Sequence, residues 1–257
     1  MTEIIKDYLR KCKPVYHILN IMYVYLNRHS ELCEVPLEIC TNPMGFSFAQ
    51  DGWHYLIEQL KQFDTNWDVK VKDSVLYRFH QNYQPEDMSD LAVSAGIEAS
   101  FRPGLSVYPW GSFNIEKSNK GGLVKDPYRT RFYGPSTFEL IEKDFLNLKS
   151  MYGYFKKHGY RPWYFRNAFI GGTFLERENG EKKYVVLQGN HRTAILAHLG
   201  HKKILTRYLK GYYRSINEKD IENWYYVKSG DCSLADAQAY FDCLFSLNGT
   251  ERAKDFD

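Results

Sequence analysis

No stretch of this chain is long and apolar enough to span a bilayer. The most apolar run, Val15 to Leu26, is shorter than the roughly 20 residues a spanning helix needs and is interrupted by His17 and Asn20. Cysteine is scarce: Cys12, Cys33, Cys40, Cys232 and Cys243 are an odd set without metal-ligand spacing, which argues against both a secreted disulfide scaffold and a zinc module. Reduced thiols in a cytoplasm are the expectation, and the opening residues, with Glu3 and Asp7 and no cleavage-like site, do not read as a secretory signal. No tail or stripe of one charge exists either. The 34 basic and 31 acidic residues are interspersed and leave a formal charge of +3, so charge does not suggest nucleic acid or an anionic membrane as a partner. Internal repeats and low-complexity segments are missing as well.

What is present is enough for a full core: 257 residues, 44% of them hydrophobic. The 21 tyrosines and 5 tryptophans read first as packing material and only second as stacking surfaces for a sugar or base. The first 95 residues read as mainly helical, with helical spacing at Val15, Ile18, Leu19, Met22 and Leu26, then over Trp53 to Phe63 and Val75 to Tyr83. A loop rich in Gly, Pro and Ser follows from Ala95 to Gly122. Within it Pro109-Trp110-Gly111-Ser112, like Tyr133-Gly134-Pro135 after it, is either an aromatic wall or a plain turn.

Beyond the loop the pattern sharpens. Ser136 with Glu139 is a capping box for a helix whose stripe is Ile141, Phe145, Leu148, Tyr152 and Phe155, stopping at His158-Gly159. Ala168 to Leu175 and Tyr184 to Leu187 are strands joined by a tight turn at Asn179-Gly180. Gln188-Gly189-Asn190-His191-Arg192 then leads into a helix over Thr193 to Leu199 that stops at Gly200, and Lys203 to Leu209 returns as a strand. Boxes at Ser215 with Glu218 and Ser233 with Asp236 predict two C-terminal helices, and Asn248 to Asp257 is polar enough to fray. The reading is an α+β fold in three parts: a helical region over 1–95, a core over 96–210 and C-terminal helices over 211–257.

Where a buried strand passes through a glycine into a helix, the first free N–H groups of the helix face outward and favour an anion. Here the amides of about His191 to Ala194, the Arg192 guanidinium, the Thr193 hydroxyl and the His191 imidazole are the groups on offer, a set suited to a di- or triphosphate. The plain alternative is a helix cap with Arg192 paired to a surface carboxylate. His198 and His201 flank the other end of the same helix, where they suit the dipole better than a metal.

The order of elements adds to this. Arg129-Thr130-Arg131, a helix, His158-Gly159-Tyr160-Arg161-Pro162, a hairpin, the run Val186 to Ala194, and Leu199-Gly200-His201 before a strand together resemble the ParB/sulfiredoxin superfamily over roughly residues 105–209. The resemblance implies that Gly189, Asn190, His191 and Arg192, with Thr193 beside them, contact nucleotide phosphates, and that Arg131, or else Arg129, is the family's upstream arginine. Departures sort the activities. Asn190 stands where sulfiredoxins carry a reactive cysteine, which sets sulfinic acid repair aside. Asn190-His191 and the modest basic charge set centromere binding aside, and Gln188 stands where some relatives carry an acid.

What the resemblance then implies is the branch of nucleotide-dependent small-molecule kinases: ATP or another nucleotide, Mg²⁺, and a sugar or metabolite hydroxyl as acceptor. The candidate bases are Glu116, then Asp126, with His191 as a general acid or phosphate ligand. A nucleotide-gated regulatory or DNA-binding protein of ParB type is the second reading, and a nuclease the third.

Overall fold

The computed structural model describes residues 18, 22, 32–105, 108–111, 133–162, 169–209 and 211–256. Among the described residues six strands and seven α-helices form an α+β arrangement. Strands β1 (Leu32–Pro36) and β2 (Cys40–Thr41) precede helices α1 (Tyr55–Thr65), α2 (Val75–Asn82), α3 (Met88–Ser94) and α4 (Phe138–His158). Strands β3 (Ile170–Glu176) and β4 (Lys182–Gln188), helix α5 (Asn190–His198), and strands β5 (Lys203–Tyr208) and β6 (Ser215–Asn217) follow. Helices α6 (Tyr225–Lys228) and α7 (Leu234–Ser246) come last, before a 3-10 turn over Thr250–Asp255.

The sheet runs β1-β5-β3-β4-β2. The Asn179-Gly180 turn forms the predicted antiparallel hairpin: Gly180 has φ +85°, and the Asn179 side chain accepts from the Glu181 amide. Strand β3 meets β5 in parallel along Ile170–Gly172 and β6 in parallel along Phe174–Glu176. The bulge between Gly171 and Gly172 lets the backbones close up: a Cβ on Gly172 would lie 2.1 Å from the Val185 carbonyl.

Helix α4 follows its predicted stripe, burying Ile141, Phe145, Leu148, Tyr152 and Phe155. It packs with α1 against α5. A second focus of the core is aromatic, with Tyr55 stacked on Phe79 at 3.8 Å, Phe46 edge-on to both, and Phe256 against Trp53 at 5.3 Å.

Several local expectations are corrected. The cap of α4 is Thr137, whose hydroxyl accepts from the Leu140 amide, one residue after the predicted Ser136; Ser136 Oγ instead lies 3.5 Å from His80 Nδ1. Ser215 opens no helix. It begins β6, because pairing Ile216 with Leu175 buries an apolar side chain, and Glu218 then accepts from the Glu178 amide and Gln238. The segment after Asn248 folds back: Arg252 donates to the Met44 carbonyl at 2.6 Å and covers the Phe46 ring at 4.0 Å. The mainly helical first part also supplies β1 and β2 to the sheet, and α3 lies where no helix was expected. Trp110 and Tyr133 are core residues, Trp110 packing on Tyr108 and Trp224. The expected helix over 15–26 falls outside the described residues apart from Ile18 and Met22.

Candidate functional site

Strand β4 ends at Gln188, and Gly189 turns the chain into α5 with φ +95°, a left-handed conformation that glycine adopts without strain. Thr193 closes the first turn twice, giving its amide (2.9 Å) and its hydroxyl (3.1 Å) to the Gly189 carbonyl. That hydroxyl therefore serves the helix. The amides of Asn190, His191 and Arg192 precede the first i→i−4 bond and have no partner within the helix, so the positive end of the dipole lies at this turn.

The side chains of the turn divide. Asn190 is 5% exposed, and its Oδ1 is buried with no hydrogen-bond partner among the described residues. An interior acceptor left unpaired costs about 1–3 kcal/mol, and proteins retain such atoms where a ligand or an ordered water serves them. Arg192 donates Nη1 to the Phe169 carbonyl at 3.1 Å, which holds its guanidinium beside the start of β3. The phenol of Tyr160 is pushed up to about 12 by burial, with the Arg192 charge opposing.

His191 is nearly buried and donates Nε2–H to Asp144 Oδ2 of α4 at 3.1 Å. A carboxylate accepts only, so Asp144 fixes the proton on Nε2. Two further imidazoles lie close enough to feel His191. His54, stacked on Phe48 at 4.2 Å, is driven down to about 3 by burial and by His191. His80 is lowered to about 4 by burial, with Asp144 opposing and His191 adding to the effect. Sequence reasoning singled out neither Asp144, His54 nor His80. Asp144 carried a usable signal, as a charged residue at i+3 from Ile141 and beside Phe145 on a helix whose buried stripe was legible. His54 carried none, since its role depends on which fold it is buried in.

The remaining sequence candidates, Glu116, Asp126, Arg129 and Arg131, lie outside the described residues. Among the described residues no three His, Cys, Asp or Glu side chains gather to hold a metal ion. The donor set at the turn fits phosphate oxygens; a Mg²⁺ arriving with a nucleotide would draw its ligands chiefly from those oxygens and water.

At the far end of α5 a separate cleft of about 990 Å³ is lined by Phe48, Ile57, Lys61, Ala197, His198 and His201 among others. There His198 Nε2 meets Asp64 Oδ2, so helix α5 is held at both ends by an imidazole on a carboxylate. No family model matches the chain, and neither the curated proteins nor the solved structures it was compared with include a match.

Proposed function

We propose that this chain binds a nucleotide by its phosphates at the Gly189 turn and transfers a phosphoryl group to a hydroxyl of a small polar acceptor, as its resemblance to the ParB/sulfiredoxin superfamily implies. One observation carries the reading: a left-handed glycine hands a buried strand to a helix whose leading amides, Arg192 and an orphaned Asn190 Oδ1 all lie in one turn. Amides and a guanidinium suit phosphate oxygen, and an unpaired acceptor suits a hydroxyl.

Phosphoryl transfer asks the protein for positioning and charge neutralisation. In this reading the amides of Asn190 to Arg192 orient the phosphates and Arg192 offsets their charge. His191, its Nε2 proton committed to Asp144, presents Nδ1 for proton exchange or phosphate contact. Glu116, then Asp126, are the carboxylates assigned to deprotonating the acceptor, and Arg131 or Arg129 adds a further cation. Mg²⁺ bound with the nucleotide would supply additional charge neutralisation.

A thermal-shift series of nucleotides with and without Mg²⁺ tests this, because a ligand of the folded state raises apparent stability by mass action. ATP with Mg²⁺ is expected to raise Tm, and R192A to abolish the rise. No shift with any nucleotide, together with no hydrolysis, would overturn the reading. Tight binding without turnover on any hydroxyl acceptor would replace it with the regulatory one.

A further inference from the structure

Among the described residues, Arg207 on β5 makes no ion pair. The register joins Gly171 to Gln188 of β4 on one side and to Arg207 of β5 on the other. Gln188, Gly171 and Arg207 thus form a single row across three strands, and its Gln188 end is the residue before Gly189. The remaining neighbour of Arg207 across the sheet is Leu32, so neither flanking position offers an acceptor side chain.

The guanidinium of Arg207 lies 5.7 Å from the centre of the Phe169 ring, while the carbonyl of the same Phe169 accepts from Arg192. Two guanidiniums from different elements therefore approach one residue at the mouth of the turn. Among the described residues no carboxylate, carbonyl or hydroxyl engages Arg207; the acids of nearby strands are taken elsewhere, Glu34 by Lys203 at 3.9 Å and Glu176 by Lys182 at 3.2 Å. Arg207 is only half-buried, so an incoming ligand can reach it.

We propose that Arg207 is a second phosphate-binding guanidinium of this site, engaging a part of a polyphosphate chain beyond the phosphate that α5 and Arg192 hold. The proposal rests on the phosphate reading of the Gly189 turn and extends it to ligand class: di- and triphosphates are selected over monophosphates. Charge-assisted bonds from a planar fork to phosphate oxygens make the discrimination.

Calorimetric titration of the full chain with inorganic tripolyphosphate, ATP and AMP tests it. Wild type is expected to bind tripolyphosphate and ATP well above AMP. R207A should lose about ten- to hundredfold affinity for the two polyphosphates and change little toward AMP. Its Tm without ligand should stay close to wild type, because among the described residues the Arg207 side chain packs on the Phe169 ring without an ion pair. R207K, which keeps the charge and loses the fork, should fall between and serves as the second variant if R207A does not fold. Wild-type affinity for tripolyphosphate in R207A or R207K overturns the Arg207 assignment and leaves the turn intact. Failure of wild type to bind either polyphosphate overturns both.

Discussion

His198 Nε2 lies 2.7 Å from Asp64 Oδ2, joining the last residue of α5 to the penultimate residue of α1 across 134 positions of sequence. The Tyr152 hydroxyl of α4 donates to the other carboxylate oxygen at 2.7 Å and Lys156 reaches it at 3.1 Å, so three helices meet on one acid. Desolvation would raise the pKa of Asp64, but the hydrogen bonds from Tyr152, His198 and Lys156 outweigh it and bring it down to about 2.

The sign of the acid response follows. In the unfolded chain Asp64 takes up its proton near pH 3.9, and in the fold only near 2. Its contribution is therefore complete above about pH 4 and is lost as pH falls through 2. Asp64 is 40% exposed, so solvent screening holds that contribution to about 1 kcal/mol. D64N is expected to lower Tm by about 2–4 °C at pH 7 and by much less at pH 2.5. An equal loss at both pH values in thermal unfolding would show that the pairing is not the source.

His54 gives the opposite end of the acid range. It is fully buried, its Nδ1 accepts from the Leu56 amide as the cap of α1, and its pKa is driven down to about 3 by burial. Below about pH 6.5 the unfolded chain binds a proton that the folded chain refuses. The contribution of His54 is thus complete above 6.5, and falls by about 2 kcal/mol between pH 7 and pH 5. His80, at about 4, adds to the same slope. H54N keeps a side-chain acceptor for the cap but cannot titrate. It should cost about 1–3 kcal/mol at pH 7 through lost packing, and should roughly halve the pH 7 to pH 5 slope measured in urea. An unchanged slope would remove His54 as its origin.

Much of this architecture was legible because it is local. The α4 stripe, the Asn179-Gly180 hairpin and the Gly189 turn are each specified by residues within a few positions of one another. The strands β1 and β2 were not legible. Leu32–Pro36 is five residues ending in proline, Cys40–Thr41 is two, and their partners are Lys203–Arg207 and Tyr184–Val185, far along the chain. Ser215 with Glu218 is a fair local capping pattern overruled by burial of Ile216 in the sheet. At the site, the turn was legible for the same local reason, whereas the Asp144 carboxylate on His191 and the placement of Arg207 beside Phe169 depend on which helix and strand tertiary packing brings alongside.

The fold-back of the C-terminal segment makes a third prediction. Arg252 is 7% exposed, donating to the Met44 carbonyl and lying over Phe46, while Phe256 fills the aromatic cluster against Trp53. Ending the chain at Leu247 removes both groups and uncovers Phe46. The truncated chain is expected to lose about 3–5 kcal/mol in urea unfolding, the range for removing a large buried aromatic. A loss below about 1 kcal/mol would mean that this segment only rests on the surface.

The last prediction separates strain from function by using the two glycines that bound α5. Gly189 and Gly200 both have positive φ, +95° and +82°, so alanine at either costs backbone strain of about 1–3 kcal/mol. Their surroundings differ. A Cβ at Gly200 meets nothing within 4 Å, whereas a Cβ at Gly189 would lie 3.2 Å from Ile170 Cγ1 and 3.3 Å from its Cα, pressing on a fully buried residue of β3. G189A therefore displaces the start of α5 against the sheet and moves the amides of Asn190 to Arg192, while G200A strains the far end and leaves them in place. Both variants should be destabilised in urea, G189A the more. Only G189A should lose the rise in Tm with ATP and Mg²⁺. A matched loss in both would mean that the response tracks the stability of the helix and not the geometry of the turn, and the phosphate assignment would then have to move to another part of the molecule.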